Sequence, residues 1–505
     1  MNVFFRSTLI HPFLFAFFPI VFLFSINVGI IEQNEILVPL IVIGIIIMIL
    51  LIIMRKFFKK EKVSILISIG VTIFFSYGHV FNILETSYRI SEFNLLLLLI
   101  GLFFIGVFYL IITKRKLDNA NVILNVIGIT LIIVSMSTIV TNNLETYDLN
   151  LTNQDFTNES FLIAEDVENK PNIYYIILDA YAGSESLEEF FDFDNSEFLS
   201  FLEKEGFIVI KNSHSNYPSS EQSLASSLNI NYIHNIFPNM QGDFKLGIVG
   251  NRIDNNVVMQ NLKLLGYNII NFNSGIGFTR NLQIADETIC ERYGEGFLNF
   301  EMLRLLTKNS LIFPIQTKLY QNDMRDQILC IFEELPEIHK EKEEPFFVFA
   351  HIFIPHRPFI FDANGEVTNT ENLEIAKINQ DKNGYINQLI FTNKMVKQTI
   401  TQIISTSDNQ PIIIIQGDHG ATVIPGLEEF KEDAIRERFS NLNAYYLPSN
   451  PKIKLHDGIT PVNTFRLIFN NYFNSTYNLL EDKSYVIISD TSESVEIGKY
   501  LVGQK

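Results

Sequence analysis

Asp418 and His419 stand side by side where a run of four isoleucines ends, in the stretch Pro411 to Gly420, PIIIIQGDHG. An adjacent carboxylate and imidazole offer two ligands to a cation such as Zn²⁺ or Mn²⁺, on a turn that Gly420 lets bend tightly. Alone, the pair reads better as a cap of the next helix, so partners elsewhere must decide. Asp179 follows a second apolar run, Ile173 to Leu178 (IYYIIL). His351, His356 and Arg357 lie at the far end of a third, Phe346 to Phe353 (FFVFAHIF). One Asp joined to an Asp-His pair suits a divalent metal that keeps a position open for a nucleophile or a substrate oxygen. The hydroxyl-rich loop that begins at His214 carries Ser219, Ser220 and Ser223 and runs into a small-residue helix around Leu224. A hydroxyl there would be activated by the metal and by the helix N-terminus, which also attracts an anionic substrate. The same serines serve equally well as caps and small packing residues.

Three strand ends meet only if one sheet gathers them on one rim. The isoleucine run is too short to cross a membrane and too apolar for a half-exposed strand, so it reads as a strand covered on both faces. From Pro171 onward strands and helices alternate. Helices are expected at Glu185–Phe191, Glu197–Glu205, Asp254–Leu265, Asp323–Glu334, Tyr385–Ile404 and Thr464–Tyr472. Strands are expected at Phe207–Ile210, Tyr267–Phe272, Ala444–Leu447 and Tyr485–Ser489. Residues 273–322 read as loops plus short helices. This alternation predicts one α/β/α domain with a mostly parallel sheet, which places chemistry at the carboxyl ends of its strands.

The first 140 residues are of another kind. Leu9 to Ile31, Ile36 to Met54, Val63 to Phe81, Asn94 to Thr113 and Val122 to Val140 are nearly free of charge, and each approaches the ~20 residues that cross a bilayer. They predict an all-α bundle of five transmembrane helices. The first lacks a small-residue cleavage site and is followed by further spans, so it reads as an uncleaved helix and not a signal peptide. Arg55, Lys56, Lys59, Lys60 and Lys62, and then Lys114, Arg115 and Lys116, mark two loops as cytoplasmic; Glu32, Glu35, Glu85 and Glu92 lie in the others. Everything after Val140 is then outside. The expected domains are a transmembrane domain over 1–140, a polar linker over 141–170 and an extracytoplasmic catalytic domain over 171–505.

Residues 1–140 carry a net charge of +4 and the remainder −22, which excludes nucleic acid as a partner of the outer domain. Sequons at Asn150, Asn158 and Asn474 matter only in a host that glycosylates secreted proteins. Cys290 and Cys330 fall outside the membrane, and their separation leaves free thiols and a disulfide equally open. His79, near the outer end of the third span, reads as an interfacial structural residue.

The motifs PNIYYIILDAY, SNYPSSEQSLASSLN, FVFAHIFIPHRPF, IIIIQGDHG and NLNAYYLP followed by ITPVNTFRLIFN resemble the alkaline phosphatase superfamily. The nearest branch is the sulfatase-like membrane proteins that include lipoteichoic acid synthase and the phosphoethanolamine transferases. The resemblance implies that Asp179, Asp418 and His419 hold the metal and that Ser220 is both nucleophile and ligand. It also implies that His356 binds the substrate phosphate or serves a second site, and that His351 binds substrate. Ser220 is found by counting back three residues from Ser223, taken as the start of the helix, to where relatives carry threonine. Asn216 and Ser220 occupy the first and last positions of the sulfatase C-x-P-S-R signature, so formylglycine chemistry is not expected. The implied function is transfer or hydrolysis of a phosphoryl-type ester by a multi-pass plasma-membrane enzyme. Its partner would be a membrane lipid or a cell-surface glycan. The alternatives are a sulfatase or phosphatase of soluble esters and a non-catalytic surface protein that keeps the fold.

Overall fold

The computed structural model describes residues 9–28, 31, 33–88, 92–152, 170–238, 246–275, 277–291, 301–368, 381–448, 453, 455–488 and 491–501. The chain divides into two compact units, residues 1–148 with 295–322, and residues 149–294 with 323–505.

The first unit contains helices α1 (His11–Ile26), α2 (Leu37–Met54), α3 (Lys60–Tyr88), α4 (Glu92–Ile112) and α5 (Asp118–Thr152). Four of them, α2 to α5, are long and apolar enough to cross a membrane. The first is shorter than expected. At 16 residues it spans about 24 Å, and it ends where Asn27 turns its side chain back onto the Leu23 carbonyl. Conversely, α5 runs on to Thr152, so residues 141–152 continue the last apolar helix instead of opening a linker. No Pro or Gly interrupts them, and a polar helix can extend from an already formed one. Residues 153–169 lie outside the described residues.

Polarity in this unit is inverted relative to a water-soluble bundle. Ile41, Phe104, Ile105 and Ile133 are more than 60% exposed, whereas His11, Ser68, Asn121 and Asn125 are buried. His11 bridges three helices, with Nδ1 2.7 Å from Ser68 Oγ and Nε2 2.8 Å from Asn121 Oδ1; its backbone N–H donates to Asn125 Oδ1 at 2.9 Å. Polar groups satisfied inside and apolar groups outside are what a lipid solvent requires.

A later piece of chain completes this unit. The helix Glu301–Lys308 carries an apolar stripe, Met302, Leu303 and Leu306, which packs on Ile20, Leu23, Phe24 and Ile31. The Met302 N–H donates to Glu35 Oε2 at 2.9 Å, and the Gly78 N–H donates to the Asn309 carbonyl at 3.2 Å. A Cβ on Gly78 would stand 2.4 Å from the Lys308 carbonyl oxygen, so only glycine admits this approach.

The second unit is built on a seven-stranded mixed sheet. Its strands are β1 (Ile173–Leu178), β2 (Ile208–Val209), β3 (Asn268–Phe272), β4 (Glu287–Ile289), β5 (Phe346–Ile352), β6 (Ile412–Gly417) and β7 (Asn443–Tyr446). Their order is β2-β7-β6-β1-β5-β3-β4. The run β6-β1-β5-β3-β4 is parallel, and β7 turns antiparallel to both β6 and β2. Every residue of β1, β5 and β6 is buried, as apolar runs without alternation require. One face, formed by Ile173, Tyr175, Ile177, Phe347, Phe349, Ile412 and Ile414, packs on helices that include α6 (Ser220–Leu228).

Several expected elements shift. The helix expected over Asp254–Leu265 runs from Val257 to Leu264, and a separate helix, Leu246–Asp254, precedes it. The last expected strand leaves the main sheet: among the described residues β8 (Tyr485–Ile487) pairs only with β9 (Ser494–Glu496), in an antiparallel ribbon, and Ser489 lies outside them. Among residues 273–322, β4 is an edge strand that three residues, ETI, were too short to announce. Cys290, one residue beyond β4, forms a disulfide with Cys330, with Cα atoms 6.0 Å apart.

Candidate active site

β1 lies between β5 and β6 in parallel register, with Leu178 beside both Ile352 and Gly417. Asp179 and Asp418, the next residues, therefore leave the sheet at one level, and His351 sits opposite Ile177 in the last turn of the ladder. Gly420 is needed for close packing and not for an unusual backbone. A Cβ there would lie 2.0 Å from the Glu437 carbonyl oxygen and 2.5 Å from that of Ser440. The DHG turn is thus pressed against α7 (Glu432–Phe439) and the chain that follows it.

Hydrogen bonding orients each side chain. Asp418 Oδ1 accepts from the N–H of Ala180 at 3.0 Å and from that of His419 at 2.9 Å. Asp418 Oδ2 and both oxygens of Asp179 have no hydrogen-bond partner among the described residues, although all are buried. His419 Nδ1 lies 2.8 Å from the Gly420 carbonyl, which can only accept. The proton therefore sits on Nδ1, and Nε2 presents its lone pair. That nitrogen faces Asp179 Oδ1 and Asp418 Oδ2, each at 3.7 Å, and Ser220 Oγ at 3.4 Å.

Distances of 3.7 Å are too long for hydrogen bonds. They resemble the edges of a tetrahedron of ligands around Zn²⁺, roughly 3.3–3.5 Å for bonds of about 2.0–2.1 Å. Asp179, Asp418 and His419 offer ligand atoms within 4.8 Å of one another. Buried carboxylate oxygens with no partner are costly unless a cation neutralises them, so this donor set fits a divalent metal. Burial alone would raise the Asp179 carboxyl, but His356, His351 and His419 outweigh it and hold it well below the usual carboxylate range.

Ser220 is the first residue of α6, which starts one turn earlier than Ser223, the expected start. The ladder opens with the Ser223 N–H donating to the Ser219 carbonyl at 2.9 Å, so the hydroxyl of Ser220 sits at the helix N-terminus. Ser223 Oγ is engaged elsewhere, donating to the Tyr217 carbonyl at 2.8 Å. Ser219 precedes the helix with its hydroxyl buried. Asn216 donates to the Lys483 carbonyl and accepts from the Val462 N–H, both at 2.8 Å, and so ties loops together.

The two remaining histidines differ. His356 is partly exposed; its N–H donates to the Asp179 carbonyl at 3.0 Å, and its ring stands edge-on to His419 with centroids 6.2 Å apart. Its Nδ1 donates to the Arg357 carbonyl, which leaves Nε2 as the acceptor of the neutral ring. His351 is wholly buried, with Nε2 3.5 Å from Asp179 Oδ2 and 3.8 Å from Asp418 Oδ2.

Two further groups have no sequence signature. Arg438, whose guanidinium is lowered to about 10 by burial, donates to the Pro218 carbonyl at 3.2 Å, two residues before Ser220. Glu437, raised to about 7 by burial, accepts from the N–H groups of Val423 and Ile424, both at 2.9 Å, and pins the chain that follows the DHG turn. Both lie on α7, a short charged helix whose sequence resembles any solvated surface helix.

A family model described as sulfatase matches residues 171–468, more than half of the chain. The chain belongs to the sulfatase family. This sulfatase-family chain is an enzyme. No curated protein matches its sequence. Among solved structures, the integral membrane lipooligosaccharide phosphoethanolamine transferase A of Neisseria meningitidis is similar at 10% identity and a TM-score of 0.43, over 91% of this chain and 95% of that one. The C-terminal periplasmic domain of EcEptC from Escherichia coli, in complex with zinc, is 14% identical with a TM-score of 0.41, over 62% of this chain and 86% of that one. A putative sulfatase from Bacteroides thetaiotaomicron is 13% identical with a TM-score of 0.40, over 63% and 78%.

Proposed function

We propose that this sulfatase-family protein is a multi-pass membrane enzyme that transfers or hydrolyses a phosphoryl-type ester through a covalent intermediate on Ser220. The observation that carries the reading is the convergence of Ser220 Oγ, His419 Nε2 and partnerless oxygens of Asp179 and Asp418 at the start of α6. Asp179, Ser220, Asp418 and His419 would hold a divalent cation, Zn²⁺ or Mn²⁺, which when bound lowers the pKa of the hydroxyl and neutralises charge on the transferred group.

The protein's own groups then have distinct tasks. Ser220 Oγ loses its proton and bonds to phosphorus, the bond from phosphorus to the leaving oxygen breaks, and that oxygen leaves with a proton. A hydroxyl of a lipid or surface glycan, or water, repeats the displacement and frees Ser220. The N-terminus of α6 steadies the alkoxide, and Arg438 adds positive charge beside the same turn. His356, partly exposed at the rim with an unprotonated Nε2, would contact the transferred group and take up the attacking proton.

The helical unit would anchor this chemistry at a lipid surface, with α1 as the fifth span beside the four longer helices. The disulfide supports an extracytoplasmic address for the catalytic unit. So does Glu301–Lys308, which packs beside Glu35 and Gly78, at the end that the charge rule assigns to the outside.

Full-length protein in detergent, incubated with phosphatidylglycerol or phosphatidylethanolamine and then weighed intact, should carry an adduct whose mass names the transferred group. Ser220→Ala should abolish the adduct and lower turnover on the order of 10³-fold or more. Retention of both would refute the assignment. Turnover of a chromogenic ester, with no adduct from either lipid, would favour a hydrolase of soluble esters.

A further inference from the structure

His351 was expected, from resemblance, to touch substrate. Its surroundings point elsewhere. Alternation along FFVFAHIF puts it on the face of β5 that carries Phe347 and Phe349, toward α6, and its side chain is wholly enclosed. A side chain that meets an incoming ester needs an open edge, which His356 has and His351 lacks.

The nitrogen that looks into the site is also without a hydrogen-bond partner. His351 Nε2 stands 3.5 and 3.8 Å from Asp179 Oδ2 and Asp418 Oδ2; His419 Nε2 stands 3.7 Å from Asp179 Oδ1 and from the same Asp418 Oδ2. Two imidazoles therefore flank the two carboxylates, sharing Asp418 Oδ2 and facing different oxygens of Asp179. In both cases the gap is at or beyond the long limit of a hydrogen bond and close to a ligand-to-ligand edge.

The far side of the ring supplies an independent argument. His351 Nδ1 lies 3.0 Å from Thr279 Oγ1, which lies 2.7 Å from Ser274 Oγ, and all three side chains are buried. Nδ1–H can donate to Thr279, whose hydroxyl donates onward to Ser274. This direction leaves a lone pair on Nε2 aimed at the carboxylates. With the direction reversed, an Nε2–H would point at Asp179 Oδ2 from 3.5 Å, the long limit of a hydrogen bond. Metal-binding histidines are commonly held in this way by a second hydrogen bond.

We propose that His351 ligates the metal through Nε2, joining Asp179, Asp418, His419 and Ser220 around one divalent cation, with Thr279 and Ser274 holding the ring in its ligating tautomer. This rests on the metal-dependent reading above and reassigns one residue within it. Substrate contact at the rim is then left to His356.

The deciding measurement is X-ray absorption on full-length wild-type protein loaded with Zn²⁺. Outer-shell scattering from two imidazoles is expected, and scattering from one would overturn the proposal. Affinity for Co²⁺, followed by its visible absorption, gives a second readout. His351→Leu should weaken binding by 10- to 100-fold and alter the band, and Thr279→Val, which keeps shape and loses the hydroxyl, should weaken it about tenfold. Folded variants with unchanged affinity and spectrum would also overturn it. Wild-type protein that binds neither Zn²⁺ nor Co²⁺ would instead sink the metal-dependent reading itself.

Discussion

Asp418 divides its labour between its two oxygens. Oδ1 is committed to the N–H groups of Ala180 and His419, and only Oδ2 faces the partnerless atoms of the site. In Asp418→Asn the amide oxygen must replace Oδ1, because only it can accept both bonds, and the NH₂ is forced to where a ligand oxygen stood. The variant should keep its fold, with stability within about 1–2 kcal/mol of the wild type, and lose bound metal by 100-fold or more. Metal content by elemental analysis beside a thermal melt checks this; loss of both together would show that Asp418 is structural. The types of these residues were legible in the sequence, since acids and histidines at strand ends are unusual neighbours. Their division of tasks was not. It depends on which atoms the surroundings already satisfy, and hydrogen bonds with Ala180, Gly420 and Thr279 leave no trace in spacing.

β1, β5 and β6 could be read from composition because a strand buried on both faces has no polar side to mask it. Thr464–Tyr472 was read to the residue, between Asn463 and Phe473. Elements whose existence depends on tertiary contact were harder. The three residues of β4 pair only because β3 is beside them, and α7 has the composition of a surface helix while burying Glu437 against the DHG turn. That burial has a pH signature. The Glu437 carboxyl titrates at its ordinary 4.5 in the unfolded chain and near 7 in the folded one, so between these values the folded state holds a proton that the unfolded state has lost. Its contribution to stability is complete below about pH 4.5, declines as pH rises to about 7 and is flat above, for a total of about 3 kcal/mol at most. Glu437→Gln should flatten this part of the stability curve in denaturant titrations at several pH values. Its baseline should fall by roughly 1–3 kcal/mol, because one of the two N–H groups loses its acceptor. An unchanged slope would mean that Glu437 does not titrate with folding.

The whole molecule consists of two solvents' worth of chemistry on one chain. A helical unit buries His11, Ser68 and Asn121 and exposes isoleucine, while a sheet domain buries isoleucine and concentrates negative charge. The sequence announced both, because charge-free runs of about 20 residues and alternating strands and helices are strong periodic signals. It did not announce that residues 295–322 belong with the helices, since one amphipathic turn-and-a-half around Met302, Leu303 and Leu306 looks like any other surface helix. Those residues leave the sheet domain after Gly294 and return at Asp323, and the Cys290–Cys330 bond closes the chain on either side of them. In proteolytic terms the segment is a closed ring and not a linear tether. A single cut anywhere between Cys290 and Cys330 leaves the two products covalently joined, so a nicked enzyme runs as an intact chain until it is reduced.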